Sequence, residues 1–242
     1  MEIKNVSMVI LDISGYTKFI KMHTMSLLHA EQIVTDLLET IIDTTEDVLT
    51  LNKLEGDAAF LYEEMDIDDT ITAQAIARKV SASFQSFKIK QQTLITSGDG
   101  GCPCIACCTI DQLKLKAILH HGKVAVKQIR QFVELAGEDV IIAHRLLKNT
   151  IKEKEYILMT EKFYKLSGGV LGSSSEARTE ECEGIGKVKV MAYYPQTAAI
   201  EMPDSRRLTR FSGLVESTRL WTKILWRRLV KPKRVFTNII RD

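Results

Sequence analysis

Residues that break or cross-link a chain are scarce in this sequence of 242 residues, which contains 4 prolines, 13 glycines and 5 cysteines. Such low proline and glycine content excludes a collagen-like or low-complexity chain, and the 45% of hydrophobic residues excludes a largely disordered one. A chain of this length can bury a sizeable core without disulfides or a structural metal. The composition therefore predicts a globular protein.

Long apolar runs are missing as well. The first such run, MEIKNVSMVILDIS, is interrupted by Asp12, so it predicts neither a secretory signal nor a membrane span. We therefore expect a cytoplasmic protein whose cysteines stay reduced. The crowding of four of the five cysteines into one short segment needs a separate explanation.

The net charge of +2 hides an asymmetry between the two parts of the chain. Residues 205–242 carry 11 basic and two acidic residues, whereas residues 1–204 carry 22 basic and 29 acidic ones. We expect no nucleic-acid binding by the acidic part, because affinity for phosphate backbones comes mostly from clustered Lys and Arg. The chain thus divides into a body (1–195), a linker (196–204) and a basic tail (205–242).

The spacing of apolar residues in the tail predicts a basic amphipathic helix. Such a helix either lies on an anionic membrane surface, docks on an acidic partner, or packs within the protein. The first alternative would make the protein peripheral at a membrane.

Hydrophobic periodicity in the body predicts alternating strands and helices. We expect a strand at 6–13, a helix at 25–49, a hairpin at 51–62 that turns at Gly56-Asp57, and a helix at 69–91. A second hairpin is expected at 114–129 with its turn at Gly122. A short apolar run at 132–135 follows, and then a helix at 140–147, a strand at 156–159, a helix at 161–166 and a strand at 187–194. The order βαββαβ predicts an α+β fold: a ferredoxin-like antiparallel sheet with helices packed on one face.

Two aspartates occupy informative places in this plan. Asp12 ends the first strand and Asp57 lies at the tip of the first hairpin, which turns next to that strand in a ferredoxin-like sheet. Two convergent carboxylates are what hard cations such as Mg²⁺ require. Alternatively, Asp12 caps a following helix and Asp57 is a turn residue. The spacing alone leaves both interpretations open.

Four motifs around these residues occur in a recognisable order. They are LDISGYT at 11–17, KLEGD at 53–57, KAILHHG at 116–122 and GEDVIIAHRL at 137–146. Together they resemble the metal, purine, phosphate and ribose motifs of the class III nucleotidyl cyclases. The cysteine segment and the run HRLLKN at 144–149 are similar to an uncharacterised bacterial group of cyclase-homology proteins, a domain of unknown function.

The resemblance implies a role for several residues. Asp12, Ile13 and Asp57 would lie at two Mg²⁺ or Mn²⁺ ions, and Lys116 would bind the substrate. Lys53 and Glu134 would read the base from the opposite subunit of a homodimer, a pair similar to the adenine-reading one. Arg145 would stabilise charge on the α-phosphate in the transition state. The implied reaction converts ATP to 3′,5′-cyclic AMP and pyrophosphate.

Departures from the cyclase pattern qualify that expectation. Ile141 replaces an asparagine that orients the ribose, and an isoleucine side chain makes no hydrogen bond. Lys116 replaces an arginine and Glu138 an aspartate. The leading expectation is therefore a divergent purine nucleotidyl cyclase. The alternative is a catalytically degenerate module that acts as a nucleotide sensor or protein-binding scaffold.

The cysteine cluster has two interpretations. Cys102, Cys104, Cys107 and Cys108 are dense enough to bind Zn²⁺ or another thiophilic metal, with His120 or His121 as a fourth ligand. Alternatively they form a buried, reduced cluster or a redox-sensitive loop.

Overall fold

A computed structural model describes residues 1–23, 27–66, 68–96, 106, 109–172 and 175–197. The strands are β1 (Glu2–Ser14), β2 (Thr50–Glu55), β3 (Ala58–Glu64), β4 (Lys114–Ile129), β5 (Phe132–Ala136), β6 (Tyr156–Thr160), β7 (Glu176–Cys182) and β8 (Gly186–Tyr193). The helices are α1 (Tyr16–Met22), α2 (Leu27–Thr45), α3 (Thr70–Thr96), α4 (Glu138–Arg145) and α5 (Glu161–Leu166).

These strands form one sheet in the order β2-β3-β1-β4-β6-β8-β7, with β5 paired to β4 outside that path. All neighbours are antiparallel except β4 and β6. The βαββαβ order is formed by β1, α2, β2, β3, α3 and β4. Among the four strands of this unit, β3 and β1 are the inner ones and β2 and β4 the outer ones. The predicted α+β fold class is confirmed.

Strand β1 is buried on both faces, which explains why its sequence is a nearly continuous apolar run. Val9, Leu11 and Ile13 face a core formed with α2 and α3. The alternate residues, such as Met8 and Ile10, face a second core that includes the buried residues of α4. The long helices therefore cover one face, while the short helix α4 lies against the other.

The predicted turn at Gly122 is wrong, because β4 runs without interruption through this residue for 16 residues. The chain reverses at 130–131 instead, where Arg130 has a positive φ of 55°, and β5 then pairs back on β4. Strand β7 was not predicted. It is an edge strand with mostly polar residues, EARTEEC, whose alternation carries little apolar signal.

Three predictions lie outside the described residues: the amphipathic helix at 205–242, most of the linker before it, and the four-cysteine cluster. Within the described part of the chain, no helix combines the length and the apolar character needed to cross a membrane.

Candidate functional site

The end of β1 and the β2–β3 turn enclose a cleft of about 430 Å³ lined by Asp12, Asp57, Lys116 and residues 13–18. The Ile13 N–H donates a hydrogen bond of 3.1 Å to the Asp57 carbonyl, which fixes the hairpin tip against β1. Helix α1 begins after Gly15 and has no side-chain cap, so Asp12 is not its cap. The fold therefore brings the two predicted aspartates to one cleft.

Gly15 makes the sharp entry into α1 possible. Its φ of 95° is a conformation that side chains with a Cβ rarely adopt. A Cβ at this position would also lie 2.8 Å from the carbonyl oxygen of Gln112. The glycine in the LDISGYT motif is thus required by both the backbone and the close approach of a second segment.

Two carboxylates, Asp12 and Asp57, and two lysines, Lys18 and Lys116, line the cleft. Lys116 Nζ lies 3.6 Å from Asp12 Oδ2, with the two side chains 18% and 17% exposed. Burial raises the pKa of Asp12 although Lys116 opposes that shift. Burial and the neighbouring Asp12 raise the pKa of Asp57. Since both carboxylates are less stable ionised here than in water, an additional cation would stabilise the ionised cleft.

A second cluster forms where β2 and β5 approach each other. Lys53 Nζ lies 3.7 Å from Glu134 Oε2 and 3.4 Å from Glu55 Oε1. It also lies 5.9 Å from the centre of the Phe60 ring. The structure thus brings together Lys53 and Glu134, the residues predicted to read the base.

The far end of α4 joins this second cluster. His144 Nδ1 lies 3.5 Å from Glu55 Oε2, and the His144 ring is 5.0 Å from the Phe60 ring. Burial lowers the pKa of His144, and Glu55 opposes that shift. Neither Glu55 nor His144 was predicted as a site residue, although each lies inside a motif that carried the resemblance.

Arg145 is the next residue on α4. Its Nη1 donates a 2.7 Å hydrogen bond to Glu183 Oε2 in the β7–β8 turn, where Glu183 is 84% exposed. Ile141 lies one turn earlier on α4 and is 49% exposed. An exposed ion pair of this kind contributes little to stability.

The predicted site residues thus fall into two groups within one chain. Asp12, Ile13, Asp57 and Lys116 line the cleft, whereas Lys53, Glu134 and Arg145 are not among its lining residues. We refer to the first group as the cleft half and to the second group as the base half.

The structure gives His120 and His121 partners other than a metal. Both ring nitrogens of His120 lie 2.8 Å from an oxygen, Nδ1 from Thr160 Oγ1 and Nε2 from Asp139 Oδ1. His121 Nδ1 lies 3.2 Å from Ser7 Oγ. The prediction that either histidine completes a thiolate site gains no support, and the cysteines themselves are outside the described residues.

The sequence is similar to one family of proteins and to a mycobacterial relative. A family model described as "Protein of unknown function (DUF2652)" matches residues 34–156. The uncharacterized protein Rv2561/Rv2562 of Mycobacterium tuberculosis is 32% identical over 179 residues, which cover 74% of this chain and 80% of that protein.

Solved structures with a similar fold are adenylyl and guanylyl cyclases. The adenylyl cyclase CyaB from P. aeruginosa is 16% identical and has a TM-score of 0.59, with 85% of this chain and 97% of that one covered. The guanylyl cyclase Cya2 is 14% identical, with a TM-score of 0.57 and coverage of 79% and 92%. The catalytic core of a rhodopsin-guanylyl cyclase in complex with ATPalphaS is 17% identical, with a TM-score of 0.58 and coverage of 81% and 98%. At these identities the likeness establishes a class III cyclase fold.

Proposed function

Because the chain belongs to the family described as protein of unknown function (DUF2652), and because this member has a class III cyclase fold, we propose that it is a divergent purine nucleotidyl cyclase. It converts ATP to 3′,5′-cyclic AMP and pyrophosphate at the interface of a homodimer. The observation that carries the proposal is the convergence of Asp12 and Asp57, beside Lys116, in one cleft of this fold.

The donors of the cleft half fit Mg²⁺ or Mn²⁺. Asp12 and Asp57 offer carboxylate oxygens and Ile13 a backbone carbonyl, and hard cations of this kind prefer oxygen ligands. In the described part of the chain no cluster of three or more His, Cys, Asp or Glu side chains forms. The remaining ligands would come from water and from substrate phosphates, as is usual for Mg²⁺ at nucleotide sites. Two such ions would activate the ribose 3′-hydroxyl and stabilise the leaving pyrophosphate.

The chain's own residues supply binding, orientation and charge. In the base half, Lys53 donates to a ring nitrogen of adenine while Glu134 accepts from the exocyclic amine. Arg145 leaves its exposed partner Glu183 and binds the α-phosphate, where its planar fork stabilises charge that builds in the transition state. Lys116 attracts the triphosphate as a point charge without the two-point geometry of an arginine.

Separation of the two halves within one chain supports a dimeric site. A homodimer with two-fold symmetry places the cleft half of one subunit opposite the base half of the other, twice. A monomer would then hold each half without its complement and would be inactive. Two cyclase neighbours were solved with a nucleotide, one with ATPalphaS and one with GTP, which supports a nucleotide as the ligand.

Ile141 favours a second candidate, a nucleotide sensor or protein-binding scaffold without turnover. It is half exposed on the same face of α4 as Arg145, where the cyclase pattern has a ribose-orienting asparagine. Loss of one orienting hydrogen bond costs about 10²- to 10³-fold in rate. That loss reduces turnover strongly and leaves nucleotide binding to the other residues.

A product scan tests the proposal. Purified protein is incubated with each nucleoside triphosphate and Mn²⁺, and products are identified by mass spectrometry. We expect cyclic AMP from the wild type and none from Asp57→Asn, while Asp47→Asn, a surface substitution outside both halves, keeps the activity. A folded dimer that binds nucleotide but yields no cyclic product would establish the sensor instead. A cyclic product of another base would refute the adenine assignment of Lys53 and Glu134.

A further inference from the structure

A buried chain of polar contacts connects β6, β4 and the beginning of α4. His120 on β4 is 1% exposed. Its Nδ1 lies 2.8 Å from Thr160 Oγ1 at the end of β6, and its Nε2 lies 2.8 Å from Asp139 Oδ1 on α4. We call this Thr160–His120–Asp139 arrangement the α4 tether. From the sequence, His120 is considered only as a fourth ligand of a thiolate metal site, and Asp139 is assigned no role.

Asp139 accepts hydrogen bonds from three donors on two elements. Besides His120 these are the Lys123 N–H on β4, at 2.7 Å from Oδ2, and the Lys162 ammonium on α5, at 3.2 Å from Oδ1. Burial alone would raise the pKa of Asp139, but these hydrogen bonds and charges hold it well below its usual range. The carboxylate therefore stays ionised at neutral pH and keeps all three contacts.

Gly122 leaves the space that this carboxylate occupies. A Cβ at Gly122 would overlap the Asp139 carboxylate group. The φ of Gly122 is not among the positive values of the chain, so β4 does not require glycine for its backbone conformation. The absence of a side chain at 122 is explained by the approach of Asp139.

Helix α4 depends on these contacts because it is short. Its eight residues bury only Ile142 and Ala143, and no side chain caps its N-terminus. At its other end, His144 contacts Glu55 and the Phe60 ring. The tether and the His144 contact thus hold the two ends of α4, and Arg145 follows directly after the second.

The geometry shows how the tether acts at a distance. Arg145 lies six residues beyond Asp139, about 9 Å along the helix axis. Loss of the tether would free the first turn of α4, and a shift of this short helix would move Arg145 with it; a misplacement of about 1 Å costs about 10²-fold in rate.

We propose that His120 and Asp139 are positioning residues that hold α4, and thereby Arg145, in the orientation that catalysis needs; this inference rests on the proposed function. They do not touch the substrate. They act by fixing the first turn of α4 to β4, with Thr160 and Lys162 completing the arrangement.

Gly122→Ala tests the tether because it displaces the Asp139 carboxylate without altering a polar group. We expect kcat per nucleotide-binding site to fall about 10²-fold while KM stays within about threefold, since Lys53 and Glu134 still bind the base. Asp139→Ala should have the same effect. Gly122→Ala should add nothing in the Asp139→Ala background, because no carboxylate is left to overlap. Asp47→Ala, at an exposed acid outside both halves and outside α4, is the control and should be neutral.

Two further variants separate positioning from a loss of folding. In the Arg145→Ala background Gly122→Ala should have no further effect on kcat, because the tether acts through Arg145. Asp139→Asn should restore most of the activity, since its amide oxygen still accepts from the Lys123 N–H. The proposal would be overturned if Gly122→Ala lowered kcat as much in the Asp139→Ala or the Arg145→Ala background as it does in the wild type. Full activity of Gly122→Ala alone would also overturn it.

Hydrogen exchange of the α4 amides tests the tether independently of turnover. We expect faster exchange in Gly122→Ala and in Asp139→Ala than in wild type and Asp47→Ala. Unchanged exchange would overturn the tether even in an active enzyme. If the wild type forms no cyclic product but the two variants still exchange faster than it does, the tether is confirmed and the cyclase is refuted. The failure of the tether and the failure of the proposed function are therefore distinguishable.

Discussion

Asp57→Asn should stabilise the protein in the absence of metal and remove the stabilisation that metal provides. The cleft half holds two carboxylates and one ammonium, Lys116, which lies 3.6 Å from Asp12. Burial and the Asp12 charge raise the pKa of Asp57. Replacing this carboxylate by a neutral amide of the same shape relieves the repulsion and lowers the cost of burial.

The expected gain is modest because Asp57 is partly exposed to solvent. Removing an unfavourable functional charge commonly adds about 0.5–2 kcal/mol, and solvent screening places this case near the lower end, at about 0.5–1 kcal/mol. For a chain of this size that corresponds to a rise in Tm of about 1–4 °C. Divalent metal at 100 times its Kd should stabilise the wild type by about 2.7 kcal/mol. With metal present, the wild type should therefore have a higher Tm than Asp57→Asn.

The pH dependence follows from the direction of the shift. Because the pKa of Asp57 is higher in the folded than in the unfolded chain, wild-type protein loses stability as the pH rises from the ordinary value of 3.8 through the folded value. The advantage of Asp57→Asn should therefore be absent well below pH 3.8 and complete at neutral pH.

Thermal unfolding followed by circular dichroism, in EDTA and in Mn²⁺ with ATP, measures both effects. Asp47→Asn serves as the control, and it should lower the Tm where Asp57→Asn raises it. Lys79 lies 2.7 Å from the Asp47 carboxylate on the surface and lowers its pKa, so the loss of this charge is unfavourable. A lower Tm of Asp57→Asn in EDTA, or an equal metal-induced rise in both proteins, would refute the electrostatic account of the cleft.

Further predictions concern one site residue and two structural ones. Ile141→Asn should raise cyclase turnover by about 10²-fold, because it restores an orienting hydrogen bond; an unchanged rate in a measurably active protein would show that the alignment of α4 with the cyclase motif is wrong. Gly15→Ala should lower the free energy of unfolding in urea by about 1–3 kcal/mol, since its positive φ and the Gln112 carbonyl both oppose a Cβ. Phe163→Ala should cost about 3–5 kcal/mol in the same assay, because this α5 ring is fully buried; a cost below 1 kcal/mol would contradict its place in the core.

Elements with a strong local signal were predictable from the sequence. The apolar run of β1, the turn at Gly56-Asp57 and the helix at 161–166 each follow from residues close together in the chain. The convergence of Asp12 and Asp57 was expected from the order of strands and from the resemblance. The contact between Lys53 and Glu134 was expected from the resemblance alone.

Features that depend on distant contacts were not predictable. Gly122 was interpreted as a turn, because a glycine inside a strand pattern looks the same whether it bends the chain or admits a neighbouring carboxylate. That neighbour, Asp139, lies 17 positions later. The edge strand β7 was missed because only its contact with β8 identifies its polar sequence as a strand. The contact of His144 with Glu55 and Phe60 likewise requires the fold.

The unbroken course of β4 restricts how this protein can change in length. Lys116, His120 and Gly122 have the same parity along one strand, so all three depend on a single register with β1. Inserting or deleting one residue between 116 and 122 would turn either the lysine or the tether to the opposite face of the sheet. We therefore expect related chains to differ in length at the 130–131 turn, which lies beyond these residues, and to keep the intervals of four and two residues between them.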